Sequence, residues 1–253
     1  MRGAAILILS SVGLASCAGP PVIPVTDMTR QREVASMVHI VRAGDTLYSV
    51  AWAANRDYRE LARWNRIASP YVVHPGQVLR LQPPPGEPAP VRQRPAAPAP
   101  TGPASSPPLA RPAPAPAPPT APAPMPAEGP IRWQWPVEGR VLAEFSPERG
   151  SKGIDIDGRE GTEVRAAAPG RVVYAGDGLR GYGNLVIVKH NDTLLSAYAH
   201  ARRVLVEEGA RVEAGQAIAE LGATGADRPK LHFEIRRNGQ PVDPLRLLPV
   251  RGS

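Results

Sequence analysis

Cysteine occurs once in 253 residues, at Cys17, which excludes an internal disulfide framework. Aromatic residues make up only 5% of the chain against 32 prolines, so a packed core running the whole length is excluded too. Histidine occurs only five times, at His39, His74, His190, His200 and His232, and the first two lie in the N-terminal third. Beyond the N-terminal stretch, no apolar run approaches the ~20 residues needed to cross a bilayer as a helix. A field of one charge sign is also missing. The formal net charge is +7, but residues 38–82 carry six basic and three acidic side chains, and residues 131–253 carry eighteen and sixteen. No basic stripe interleaved with aromatics emerges, so nucleic acid is not the expected partner. A mildly basic surface suits an anionic envelope polymer instead.

What is present falls into five segments. Residues 1–16 read as an export signal: Arg2 supplies positive charge, Ala4-Ala5-Ile6-Leu7-Ile8-Leu9 forms the apolar stretch, and small residues follow. Leu14-Ala15-Ser16-Cys17 looks like a bacterial lipobox, which makes Cys17 the expected lipidation site and the lipid the membrane anchor. Ala18 rather than aspartate follows, implying an outer-membrane lipoprotein that faces the periplasm of a Gram-negative cell. Residues 17–37 form a leader. Residues 83–130 hold about 20 of the prolines, mixed mainly with alanine. Such a segment cannot offset its ordering entropy by burial and is expected as an extended disordered linker, with a reach of roughly 150 Å at most at ~3.1 Å per residue.

Residues 38–82 carry a βααβ pattern. His39-Ile40-Val41 reads as a short strand, Asp45-Thr46 precedes an apolar helix as an N-cap would, and Tyr58–Trp64 reads as a second helix ended by Asn65. Pro75-Gly76 turns the chain into a closing strand, Val78-Leu79-Arg80-Leu81. The segment resembles a LysM domain. That resemblance implies recognition of N-acetylglucosamine-containing glycan, here peptidoglycan, in a groove between the loop before the first helix and the loop after the second. Gly44, Asp45, Thr46, Leu47, Asn65, Ile67 and Pro70 are its candidate residues.

From residue 131 the pattern is mostly antiparallel β, with short apolar runs such as Leu185-Val186-Ile187-Val188 bounded by glycine or Asn-Asp turns. His190, beside the Asn191-Asp192 turn, is expected to be solvated. Two segments, Ser151-Lys152-Gly153-Ile154-Asp155-Ile156 and Lys230-Leu231-His232-Phe233-Glu234-Ile235, resemble the metal-binding strands of the lysostaphin-type (LytM) zinc endopeptidases. Their pattern is His-x-x-x-Asp followed by His-x-His. A third segment, Tyr198-Ala199-His200, resembles the family's Tyr-x-His. The resemblance implies a two-sheet domain over residues 131–253 in which the first histidine, the aspartate and the last histidine hold zinc. This sequence places Ser151 and Lys230 where the first histidine of each motif is expected, and retains Asp155, His200 and His232. Alternation along a strand puts residues 230, 232 and 234 on one face and Leu231, Phe233 and Ile235 in the core. An ammonium beside a divalent cation is repulsive and a serine is a poor zinc ligand, so no zinc or other cofactor is expected.

The whole arrangement is similar to the NlpD-type activators of cell-wall amidases. That resemblance implies a non-catalytic protein whose vacant groove binds a regulatory element of an N-acetylmuramoyl-L-alanine amidase and displaces an autoinhibitory helix from the amidase's own zinc. Ser151, Lys152, Asp155, Arg180, Tyr182, Asn184, Tyr198, His200, Lys230 and His232 are the expected groove residues. Two alternatives stand beside it: an active zinc peptidase using His200, Asp155 and His232, and a purely structural staple between outer membrane and wall.

Overall fold

The computed structural model describes residues 37–86 and 131–251. The signal segment, the leader up to residue 36, Cys17 with it, and all but the first residues of the linker lie outside the described residues.

In the N-terminal module, β1 (Val38–Ile40) pairs antiparallel with β2 (Val78–Arg80), and α1 (Leu47–Ala53) and α2 (Tyr58–Trp64) lie between them in sequence. The first strand sits one residue earlier than its sequence suggests; Val41, just past its end, is 2% exposed and bonds the Gly76-Gln77 turn through its backbone. Thr46, not Asp45, caps α1. Its hydroxyl accepts from Ser49 N at 3.1 Å, and Ser49 Oγ accepts from Thr46 N at 3.0 Å, a reciprocal capping box. Asp45 is occupied elsewhere, 2.7 Å from His39 Nε2 and accepting from Arg42 N. Asp57 caps α2, accepting from Arg59 N at 2.8 Å.

The C-terminal module is built on β3 (Val141–Ala143), β4 (Ile154–Asp157), β5 (Glu163–Arg165), β6 (Gly170–Gly176), β7 (Asn184–Lys189), β8 (Leu194–Val204), β9 (Arg211–Val212), β10 (Ala217–Leu221), β11 (Lys230–Arg237) and β12 (Gln240–Val242). The strand order is β3-β4-β11-β8-β7-β6-β9, with β10 joining β8 to β5 and β12 extending from β11, every ladder antiparallel. The two sheets expected from the sequence are therefore one hydrogen-bonded system. The 11-residue β8 unites them, pairing with β7 and β11 along its length and with β10 at its end, where the register shifts.

One face of this sheet is packed by Ile154, Ile156, Val186, Val188, Tyr198 and Phe233. The opposite face carries Val173, Leu185, Ile187, Leu195, Ala197 and Ala199 in one cluster with Leu47, Val50, Trp52 and Leu61 of the helical module. The module expected to stand off on a tether thus shares a core with the sheet. This explains the unbroken apolar run of β7: an antiparallel strand that alternates has one wet face, whereas Leu185-Val186-Ile187-Val188 is fully buried on both. His190 is also a correction. It is 5% exposed, with Nε2 2.7 Å from Ser196 Oγ and Nδ1 2.8 Å from Pro169 O, and burial pushes its pKa down to about 4.

Candidate functional site

The register of β4 against β11 builds the site. His232 lies directly opposite Asp155 and Phe233 opposite Ile154, so the polar pair faces outward while both apolar partners enter the core. Gly153 permits this pairing. A side chain there would meet Phe233 O at 2.3 Å, so only glycine lets the strand entrance close on β11.

Around Asp155 the side chains form a continuous chain of opposite charges. Lys230 Nζ lies 3.0 Å from Asp155 Oδ2 and 3.5 Å from Asp227 Oδ1. His232 Nδ1 donates to Asp155 Oδ1 at 2.6 Å, and its Nε2 lies 3.2 Å from Glu234 Oε1. Glu234, 1% exposed, also accepts from the Tyr182 hydroxyl at 2.8 Å and from Arg236 Nε at 3.0 Å. Burial alone would push the Asp155 carboxyl up, but hydrogen bonds from His232 and Lys230 outweigh it and hold it down at about 2. Burial likewise works against a charged His232, yet its bonds to Asp155 and Glu234 raise its pKa to about 9. Glu234 is held below its ordinary value against burial by His232 and Arg236. His200 differs: burial lowers its pKa, opposed by its Nδ1 contact with Thr224 O at 2.9 Å.

The pH consequence has a definite sign. A histidine whose folded pKa stands above its unfolded value of ~6.5 stabilises the fold fully below that value, and the contribution is lost as pH rises through about 9. A carboxylate depressed to about 2 contributes above ~3.8 and loses its contribution as pH falls through about 2. The His232 ring resonance should therefore titrate near pH 9 by NMR while His190 stays neutral throughout the physiological range. A His232 midpoint below 7 would dissolve the ion chain described here.

Seven of the expected groove residues, Ser151, Lys152, Asp155, Tyr182, His200, Lys230 and His232, line one open cavity of about 460 Å³. Three do not. Arg180 is exposed on the loop before β7. Asn184 braces the wall, its side chain donating to Ala201 O at 2.9 Å and its backbone to Thr224 Oγ1. Tyr198 is fully buried on the opposite face of β8, its hydroxyl accepting from Ala167 N at 2.8 Å, so it is a core residue. Arg149 and Glu234 line the cavity without having been singled out. For Glu234 the signal was available, since it shares a strand face with Lys230 and His232.

In the other module, Gly44 and Pro70 are exposed. Leu47 is fully buried, and Ile67, half-buried, packs against the same core. Asn65 spends its carboxamide on Leu61 O, Arg80 O and Arg80 N. Thr46, besides capping, donates its hydroxyl to Val173 O of β6 at 3.1 Å.

The donor set does not fit a zinc ion. The Lys230 ammonium already occupies one Asp155 oxygen, and Ser151 Oγ is turned onto Gly153 O at 3.1 Å. Among the described residues no cluster of three or more His, Cys, Asp and Glu side chains is placed to hold a metal.

Comparison with known proteins gives the same two modules. Residues 39–82 match the LysM domain, and residues 149–244 match Peptidase family M23. The chain is 47% identical over 241 residues to a lipoprotein NlpD/LppB homologue of Pseudomonas aeruginosa, covering 88% of this chain and 80% of that one. It is 40% identical to the murein hydrolase activator NlpD of Escherichia coli K12, over 84% of this chain and 68% of that protein. It is 37% identical to the E. coli lipoprotein YgeR, over 98% and 94%. With an NlpD relative matched along most of both lengths and both modules present, the chain belongs to the NlpD/LppB lipoprotein family.

Proposed function

We propose that this protein is a non-catalytic activator of periplasmic cell-wall amidases in septal peptidoglycan splitting and daughter-cell separation. It is held at the outer membrane by lipid on Cys17 and at the wall by its LysM module, and its M23 groove docks the amidase. The observation that carries this reading is Lys230. Its ammonium sits on the Asp155 carboxylate that the lysostaphin-type pattern reserves for zinc, so the acidified water of a zinc hydrolase has no place to form. Lys230 and Ser151 thus stand as replacements for motif histidines, and a peptidase groove becomes a binding groove. Four cationic side chains, Arg149, Lys152, Lys230 and protonated His232, line the cavity against the carboxylates of Asp155 and Glu234. That surplus suits an acidic docking element. The name of the E. coli relative, murein hydrolase activator, supports the same reading.

Reconstitution tests it. Added to purified N-acetylmuramoyl-L-alanine amidase and dye-labelled sacculi, the protein should stimulate dye release while releasing nothing alone. Stoichiometric zinc together with cleavage of isolated wall peptides, no amidase present, would establish a peptidase instead. Sacculus binding without stimulation of any cognate amidase would leave a structural staple.

A further inference from the structure

The groove's polar chain does not end inside the M23 domain. Arg236 is 1% exposed, a burial that costs several kcal/mol for a guanidinium unless it is fully paired. Part of its pairing comes from Glu234, at 3.0 Å through Nε and Nη2. Nη2 also reaches the Tyr182 hydroxyl at 3.4 Å, and the LysM module supplies the rest: Nη1 donates to Trp52 O at 2.7 Å, and the guanidinium lies 3.7 Å from the centre of the Trp52 ring. A path of direct contacts therefore runs from Trp52 through Arg236, Glu234 and His232 to Asp155 on the groove floor.

The surrounding contacts are those of a built interface. Arg59 Nη2 donates to Asn238 Oδ1 at 2.9 Å, Gln240 Nε2 to Asn55 O at 3.2 Å, and Lys152 at the groove to Asn55 Oδ1 at 3.2 Å. Gly239, at the tip of the β11–β12 hairpin, approaches the LysM backbone so closely that a Cβ would stand 2.4 Å from Arg56 C and 2.5 Å from Asp57 N. Beneath these contacts, Val173, Leu185, Ile187 and Leu195 are buried in the joint cluster with the LysM core. Were the LysM module only a tethered accessory, those side chains would form an exposed apolar patch on the sheet.

We propose that the LysM module is the outer layer of the M23 sheet, and that Trp52 and Arg236 are positioning residues that hold the groove's Glu234–His232 pair from behind. The separation between a glycan gripped by LysM and a partner seated in the groove is then set by this interface and not by the length of the intervening linker. The groove is lined by the M23 module alone, and its Glu234–His232 pair is braced from the LysM side through Arg236.

The test uses the full chain with a protease site placed in residues 87–130, compared with the same chain carrying Gly239→Asn. Asparagine tolerates the left-handed backbone that Gly239 adopts at φ +74, so the hairpin survives while the side chain collides with Arg56. After cleavage the two wild-type halves should co-elute, and those of the Gly239→Asn chain should separate. In the uncut variant, backbone amides of residues 230–237 should exchange at least tenfold faster, with sacculus binding within twofold of wild type. The amount needed for half-maximal amidase stimulation should rise at least tenfold. Separation of the wild-type halves, each still folded, would overturn the shared layer. Separation in the variant with exchange of residues 230–237 unchanged would overturn the positioning role of Arg236. Co-elution and exchange need no amidase, so a wild-type protein that stimulates none would refute the activator reading and leave this inference standing.

Discussion

Lys230→Glu should reduce amidase stimulation at least tenfold while the protein stays folded. Lys230 Nζ is 3.0 Å from Asp155 Oδ2 and only 20% exposed, so the ion pair is shielded from solvent better than a surface pair. Glutamate at this place removes the partner that helps hold the Asp155 carboxyl at about 2 and sets a second carboxylate beside it. The cavity lining changes from four cationic and two anionic side chains to three of each, so its attraction for an acidic element disappears. The stability cost should be modest, on the order of 1–2 kcal/mol, because His232 keeps its own bond to Asp155 and the new side chain can turn toward solvent. Lys230→Gln separates charge from shape: a neutral side chain of similar reach should keep an intermediate stimulation. The checks are dye release from labelled sacculi at matched protein concentrations and a thermal melt of each variant. Full stimulation by a folded Lys230→Glu protein would remove the groove from the mechanism.

The local elements were legible because their causes are local. Helix α2 runs over Tyr58–Trp64, where the periodicity predicts it, since Asp57 caps it and Asn65 ends it within one turn of the apolar positions. The outward face of β11 followed from alternation alone, and it carried Glu234 to the groove with Lys230 and His232. Of the pair Asp45-Thr46 read as the start of the first helix, Thr46 is the N-cap, while the Asp45 carboxylate meets His39 and Arg42 N. His190 looked like a turn residue by its neighbours, yet Ser196 and Pro169 supply buried partners that no spacing rule reveals. The packing of one module on the other was the least legible, since Trp52 and Arg236 meet across 184 residues. Its one trace was the run Leu185–Val188, apolar at every position where a half-exposed antiparallel strand alternates.

If Ser151 and Lys230 are what separates this groove from a zinc site, returning both to histidine should rebuild one. The frame for it remains: β4 and β11 hold Asp155 directly opposite His232, and Gly153 keeps the segment bearing Ser151 against β11. Three protein ligands with an open fourth position are the usual requirement, and Ser151→His supplies the third beside Asp155 and His232. That substitution alone should bind zinc poorly, because the Lys230 ammonium 3.0 Å from the Asp155 carboxylate must be displaced before a dication can enter. Lys230→His alone leaves only two ligands and should bind no better. The double variant should take up one zinc per chain and gain at least a hundredfold in affinity over either single variant, read by metal analysis after dialysis and by competition with a chromophoric chelator. Binding should weaken as pH falls and protons compete for the imidazoles. A folded double variant that binds zinc no better than the parent would mean that residues 151 and 230 do not stand at zinc-site positions. The origin of the groove as a converted peptidase centre would then be abandoned.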